Sequence, residues 1–128
     1  MLPTVGFSPA TTVEFIAAAN SPEFGRDPDL RRQIKRASES PCPNIAEGFS
    51  RYHPRDNARF VNIAKSSMSE LIVHMTRASR KQLVTADEAA RVCALARRAR
   101  AAAMGYIRYL QRAELAPATK GLRRRRKA

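Results

Sequence analysis

The chain is predicted to be all-α: an antiparallel up-and-down four-helix bundle with a short first helix and a proline-disturbed second helix. Three observations predict it. Capping residues or helix-start prolines stand before the apolar segments, apolar residues recur at alternating intervals of three and four, and four such segments are joined by short turns. At 128 residues the chain fits one domain, divided as an N-terminal extension over 1–10, a bundle over 11–116 and a basic, flexible tail over 117–128.

Thr11-Thr-Val-Glu14 has the spacing of a capping box, so a short helix is expected to start there. It runs through Val13, Ile16 and Ala17 before Asn20-Ser-Pro22 ends it. Asp27-Pro28 sets a cap ahead of a proline at the first helical position, where the missing N–H does no harm. Leu30, Ile34, Ala37, Ile45, Ala46 and Phe49 supply the apolar side of the second helix. Pro41 and Pro43 must kink or break that helix before it reaches about Gly48. His53-Pro54 marks the next start, and Val61, Ala64, Met68, Leu71, Met75 and Ala78 form the cleanest apolar line in the chain. Thr85-Ala-Asp-Glu88 is a second capping box. It opens a helix whose inward line reads Val92, Leu95, Ala99, Ala102, Tyr106, Ile107 and Leu110, and the pattern stops beyond Pro117. A first helix this short leaves apolar surface on the two long helices, which self-association would hide.

The rest of the composition narrows the function classes. There is no long apolar run, since arginines bracket the alanine-rich tract from Ala99 to Met104, so no membrane insertion is expected. The first residues lack the pattern of a secretory signal, and a cytoplasmic location is the expectation. Cys42 and Cys93 form neither a metal-ligand spacing nor a disulfide framework and read as small buried or half-buried apolar groups. Glu70 and His74 can share a helix face, but two ligands are too few for a metal site. Ser66, Ser67 and Ser69 lack a nucleophile-elbow setting and instead permit close helix approach. No glycine-rich phosphate loop is present. No catalytic residue, cofactor or metal is therefore assigned.

One tract is specific enough to compare. Leu30 with Gln33-Ile-Lys-Arg-Ala37, then Asn44-Ile45-Ala46-Glu47-Gly48, then Phe60 with Asn62-Ile-Ala-Lys and Ser69-Glu70-Leu71, resembles the four-helix-bundle proteins named for intervening sequences of bacterial 23S ribosomal RNA genes. The resemblance covers about residues 13 to 112. It implies an up-and-down four-helix bundle and a homo-oligomer, with a pentameric ring favoured. It also implies kinship with an accessory variability protein of diversity-generating retroelements, which associates with nucleic acid and a reverse transcriptase. No catalytic residue comes with the family. The chain departs from the usual pattern in its short first helix and in the prolines that flank Cys42.

Within the motif, Asn44 is placed to cap the restarted helix, with Glu47 answering from the third helical position. Alternatively Glu47 pairs with an arginine on a neighbouring helix or subunit and fixes register.

Charge decides what partner to expect. The net charge is +13, and residues 55 to 128 hold eighteen basic and five acidic side chains against six of each in residues 1 to 54. Arg77, Arg80 and Lys81 cluster at the end of the third helix. Arg91, Arg98 and Arg112, with Arg97 and Arg108, occupy the less apolar side of the fourth, and Arg123, Arg124, Arg125, Arg126 and Lys127 close the chain. Such a surface attracts RNA or DNA phosphates without reading sequence. The competing expectation is an assembly scaffold that binds an acidic or nucleic-acid-processing protein and no nucleic acid. Tryptophan is absent and most aromatics lie on apparent core lines, so no stacking platform is expected.

Overall fold

The computed structural model describes residues 8–127, with side chains described for residues 8–114. Among the described residues the helices run in order α1 Pro9–Ala18, α2 Pro28–Glu39, α3 Pro41–Phe49, α4 Pro54–Arg80 and α5 Ala86–Lys127, with a 3-10 turn at Pro22–Arg26 between the first two. No strand occurs among the described residues. α2 and α3 are two halves of one bent rod, so the architecture is the expected four-helix one.

α1 starts two residues before the predicted capping box. Ser8 is the N-cap and accepts the Thr11 N–H at 3.2 Å, with Pro9 at the first helical position. The cap and the fixed φ of proline together outcompete a start at Thr11. Its buried side is also not the predicted one. Phe15, Ala18 and Ala19 face the core, whereas Val13 is 67% exposed, Ala17 is exposed and Ile16 is half-buried. Turning Phe15 inward removes more apolar area from water than turning Val13 inward would.

The bend arises where two prolines delete two amide donors. Pro41 and Pro43 leave the Ala37 and Glu39 carbonyls without their helical partners, yet Ser40 keeps helical geometry (φ −70°, ψ −40°), so the rod bends without unravelling. Downstream, Ile45 is buried and Phe49 half-buried as expected, but Ala46 faces outward.

α4 fulfils its prediction completely: Val61, Ala64, Met68, Leu71, Met75 and Ala78 are all fully buried. Its end is tied by the Leu83 N–H to the Ala78 carbonyl at 2.9 Å, with Gln82 in the left-handed region at φ 60°. Thr85 then caps α5 by accepting the Glu88 N–H at 3.1 Å, and Asp27 caps α2 by accepting that of Leu30, also at 3.1 Å. On α5 the inward stripe is wider than predicted. Val92, Ala99 and Leu110 are buried and Leu95, Ala102, Tyr106 and Ile107 half-buried, and Ala89, Cys93, Ala96 and Ala103 are buried beside them.

Two hydrophobic clusters fill the bundle. The larger joins Phe15 of α1 and Phe24 of the 3-10 turn to Leu30, Ile34, Leu71, Met75 and Val92. The smaller joins Ile45, Ala64, Met68 and Ala99, with Phe49, Ala102 and Tyr106 packed against it, and α1 contributes nothing to it. The short first helix thus covers one half of the bundle only. Helix α5 continues past Pro117 to Lys127, and the predictions made for the side chains of Arg123 to Lys127 lie outside the described ones.

Candidate nucleic-acid interface

α5 packs chiefly on α4, which leaves its opposite side to solvent. Arg91, Arg98 and Arg112 are separated by seven and fourteen residues, close to whole numbers of helical turns, so they form one line. Arg97 and Arg108 flank that line, and all five are exposed. No acidic residue lies between Glu88 and Glu114. At 1.5 Å per residue the basic face extends about 31 Å from Arg91 to Arg112.

Within this face Arg91 is held by Glu14 of α1 at 3.1 Å, and Arg100 donates to the Ser69 hydroxyl at 3.3 Å. Arg97, Arg98, Arg108 and Arg112 join no ion pair among the described residues. Of the cluster closing α4, Arg77 and Arg80 are likewise exposed and outside those ion pairs, while Lys81 is paired with Asp27. That lysine, together with the Leu30 N–H, holds the Asp27 carboxyl below the usual aspartate range. Arg80 and Arg97 line one shallow groove floored by Ala89, Ala90 and Cys93, which brings the end of α4 and the start of the α5 face together.

The far end of the face is aromatic. Phe49 meets Tyr106 edge-on at 5.3 Å, and Tyr106 lies nearly parallel to Tyr109, with ring centroids 5.9 Å apart and planes 16° apart. Asn57 Nδ2 donates to the Tyr106 hydroxyl at 2.9 Å. Tyr109 is 56% exposed, and Tyr52 at the α3–α4 corner is 97% exposed, with an edge contact to His53. The sequence reading set most aromatics on core lines; Tyr109 and Tyr52 depart from it by standing exposed. In an alanine-rich helix the apolar stripe is too wide for sequence periodicity to separate Tyr106 from Tyr109.

The motif residues divide by location. Leu71 and Ile45 are core. Gly48 is buried where α3 crosses α4, and a Cβ there would meet the Asn57 carbonyl and Oδ1 at 3.0 Å and Phe60 Cβ at 3.3 Å. The predicted cap at Asn44 is corrected: its Nδ2 donates to the Ser40 carbonyl at 2.9 Å and to Ser40 Oγ at 3.1 Å. Ser40 Oγ also meets Ser67 Oγ of α4 at 2.8 Å. Asn44 is thus a brace across the proline bend, because helical geometry at Ser40 leaves no free helix start to cap. Glu47 pairs within its own segment, with Arg51 at 3.3 Å and Ser50 Oγ at 2.9 Å. Phe60 has the guanidinium groups of Arg51 and Arg59 at 4.8 and 4.7 Å from its ring centre. Ala46 and Asn62 are exposed.

Among the described residues, no group of three or more His, Cys, Asp or Glu side chains is placed to hold a metal ion. Cys42 is half-buried, within 3.5 Å of the Thr12 hydroxyl, and Cys93 is buried; both are free thiols. No helix among the described residues is long and apolar enough to cross a membrane.

His74 makes a pH prediction. Its half-buried site disfavours the charged ring, and Arg77 and Arg36 add to this against Glu70, so its pKa falls below 6.5. Above that value both folded and unfolded forms are neutral; below it the unfolded chain takes the proton first, so stability is lost as pH falls. The urea midpoint is expected to drop more for the wild type than for His74→Gln on going from about pH 7.5 to about pH 5.5. Equal drops would contradict the assignment.

The model of the family described as 23S rRNA-intervening sequence protein matches residues 10–105. No curated protein matches the chain, and no solved structure does. The chain belongs to the 23S rRNA-intervening sequence protein family.

Proposed function

We propose that this member of the intervening-sequence family is a non-enzymatic homo-oligomer, with a pentamer favoured by the resemblance, that holds RNA or DNA phosphates along the outer face of α5 without reading sequence. The observation that carries the reading is the run from Ala89 to Ala113, which holds six arginines and no acid, four of them exposed and outside the ion pairs of the described residues. Cations without internal partners are free to displace condensed counterions from a phosphate backbone. Arg80 shares a groove with Arg97 and extends the same face, and Arg77 with Arg123 to Lys127 adds six further charges to the chain. Five copies of a +13 chain would present five times that charge, making contact multivalent.

Self-association is supported by two features. Ala46 and Asn62 of the family motif stand on the outside of the single chain, and the smaller core cluster receives no cover from α1. The scaffold alternative, in which the basic face takes an acidic or nucleic-acid-processing protein, predicts polyanion binding that is weak and does not saturate.

The test is fluorescence anisotropy with a mixed-sequence single-stranded RNA over about 50 to 200 mM salt. The triple variant Arg98→Ala, Arg108→Ala, Arg112→Ala is expected to reduce the slope of log affinity against log salt by about 2, since each single-strand phosphate contact contributes about 0.7. An unchanged slope would remove the α5 face from the interface.

A further inference from the structure

The basic face ends in a stacked pair of rings, Tyr106 and Tyr109, whose outer member is 56% exposed. We infer that Tyr109 is a stacking platform for one unpaired nucleobase, with Arg108 and Arg112 taking the phosphates beside it. The inference rests on the proposed function and narrows its ligand to single strands.

Three observations support it. Tyr109 is 56% exposed although it belongs to the long helix that forms one wall of the core. Its ring is backed by Tyr106, whose hydroxyl is fixed by Asn57 at 2.9 Å and whose edge is set against Phe49 at 5.3 Å. The platform is therefore held from α3 and α4 at once, and stacking a base on it costs little side-chain entropy. One turn earlier, Gly105 has nothing within 4 Å of where a Cβ would stand among the described residues, so the helix surface near Tyr109 carries no bulk at that position. Arg108 and Arg112 are exposed on either side in sequence and take no part in the ion pairs of the described residues.

A base within a duplex has both faces occupied by its neighbours, so only a single strand can offer a ring to Tyr109. Stacking is also indifferent to base identity, which agrees with a protein that does not read sequence. Tyr52, more exposed still, has among the described residues no ring behind it except the edge of His53 and serves as the control.

The experiment compares a labelled single strand of about 15 nucleotides, within the site sizes typical of single-strand binders, with a duplex of the same sequence, using the full chain at one salt concentration. Tyr109→Ala is expected to weaken single-strand binding about 5- to 150-fold and leave duplex binding unchanged. Tyr109→Phe should retain wild-type affinity, and Tyr52→Ala should match wild type. Far-ultraviolet circular dichroism and sedimentation establish that each variant keeps its fold and assembly. If Tyr109→Ala binds both ligands like wild type, or if Tyr52→Ala causes the same loss, the platform is overturned while phosphate binding by α5 stands. A Tyr109→Ala variant that changes oligomeric state and not affinity assigns the ring to a subunit contact and also overturns it. Failure of the wild type to bind either ligand removes the proposed function and the platform together.

Discussion

Leu71→Asp is expected to leave no cooperatively folded domain. Leu71 is fully buried at the middle of α4, in the cluster that joins every helix except α3, so the substitution both removes a core side chain and introduces a carboxylate with no partner. Losing the leucine alone costs about 2 to 5 kcal/mol. Desolvating the acid adds to this, and a domain of this size has only about 5 to 15 kcal/mol in total. The control is two residues away. Val73 is 56% exposed on the same helix, and Val73→Asp should unfold at nearly the wild-type urea concentration. If Leu71→Asp kept a wild-type urea midpoint, the inward face of α4 would be wrong.

Gly48→Val is the second large effect. Gly48 lies in helix α3, where valine by propensity alone should be tolerated at least as well as glycine. The structure predicts the opposite, because a Cβ is already 3.0 Å from the Asn57 carbonyl and valine adds two methyl groups beyond it. Asn57 belongs to the backbone of α4 and also positions Tyr106, so α3 must move off α4 or the valine must strain. The expected loss is about 3 kcal/mol in urea unfolding. Gly48→Ala isolates the sign: propensity favours it by about 1 kcal/mol, whereas the crossing disfavours it. A stabilised Gly48→Ala would mean that the two helices are further apart than described.

These two positions show what can be read from the chain. Leu71 is legible because α4 alternates large apolar and polar residues over nearly five turns, a pattern only one helix face satisfies. Gly48 is visible as part of a motif, but its need for hydrogen is a property of two helices crossing and leaves no periodic mark. Asn44 misleads for a related reason: next to two prolines it resembles a cap, whereas Ser40 keeps helical geometry and turns it into a brace. At α1, Ser8-Pro9 and Thr11-x-x-Glu14 are both helix starts, and Phe15 reaching the core decides between them. Phe24 escapes a sequence reading because a single aromatic within a five-residue 3-10 turn has no periodicity to announce it.

The candidate interface is half legible. Arginine positions on α5 come directly from helical geometry, and the structure adds which of them are engaged: Arg91 with Glu14, Arg100 with Ser69, and Lys81 of the neighbouring cluster with Asp27. Those partners come from α1, α4 and the start of α2, which no local pattern in α5 could specify. Tyr109 is unreadable in the same way, since its ring partner Tyr106 is set by Phe49 of α3 and Asn57 of α4.

The most direct measurement is sedimentation velocity of the full chain with and without a mixed-sequence RNA at about 50 and 200 mM salt. The expected result is a defined oligomer that moves stoichiometrically onto RNA at the lower salt and releases it at the higher. A monomer, or an oligomer whose sedimentation RNA leaves unchanged at both concentrations, would contradict a phosphate-binding assembly.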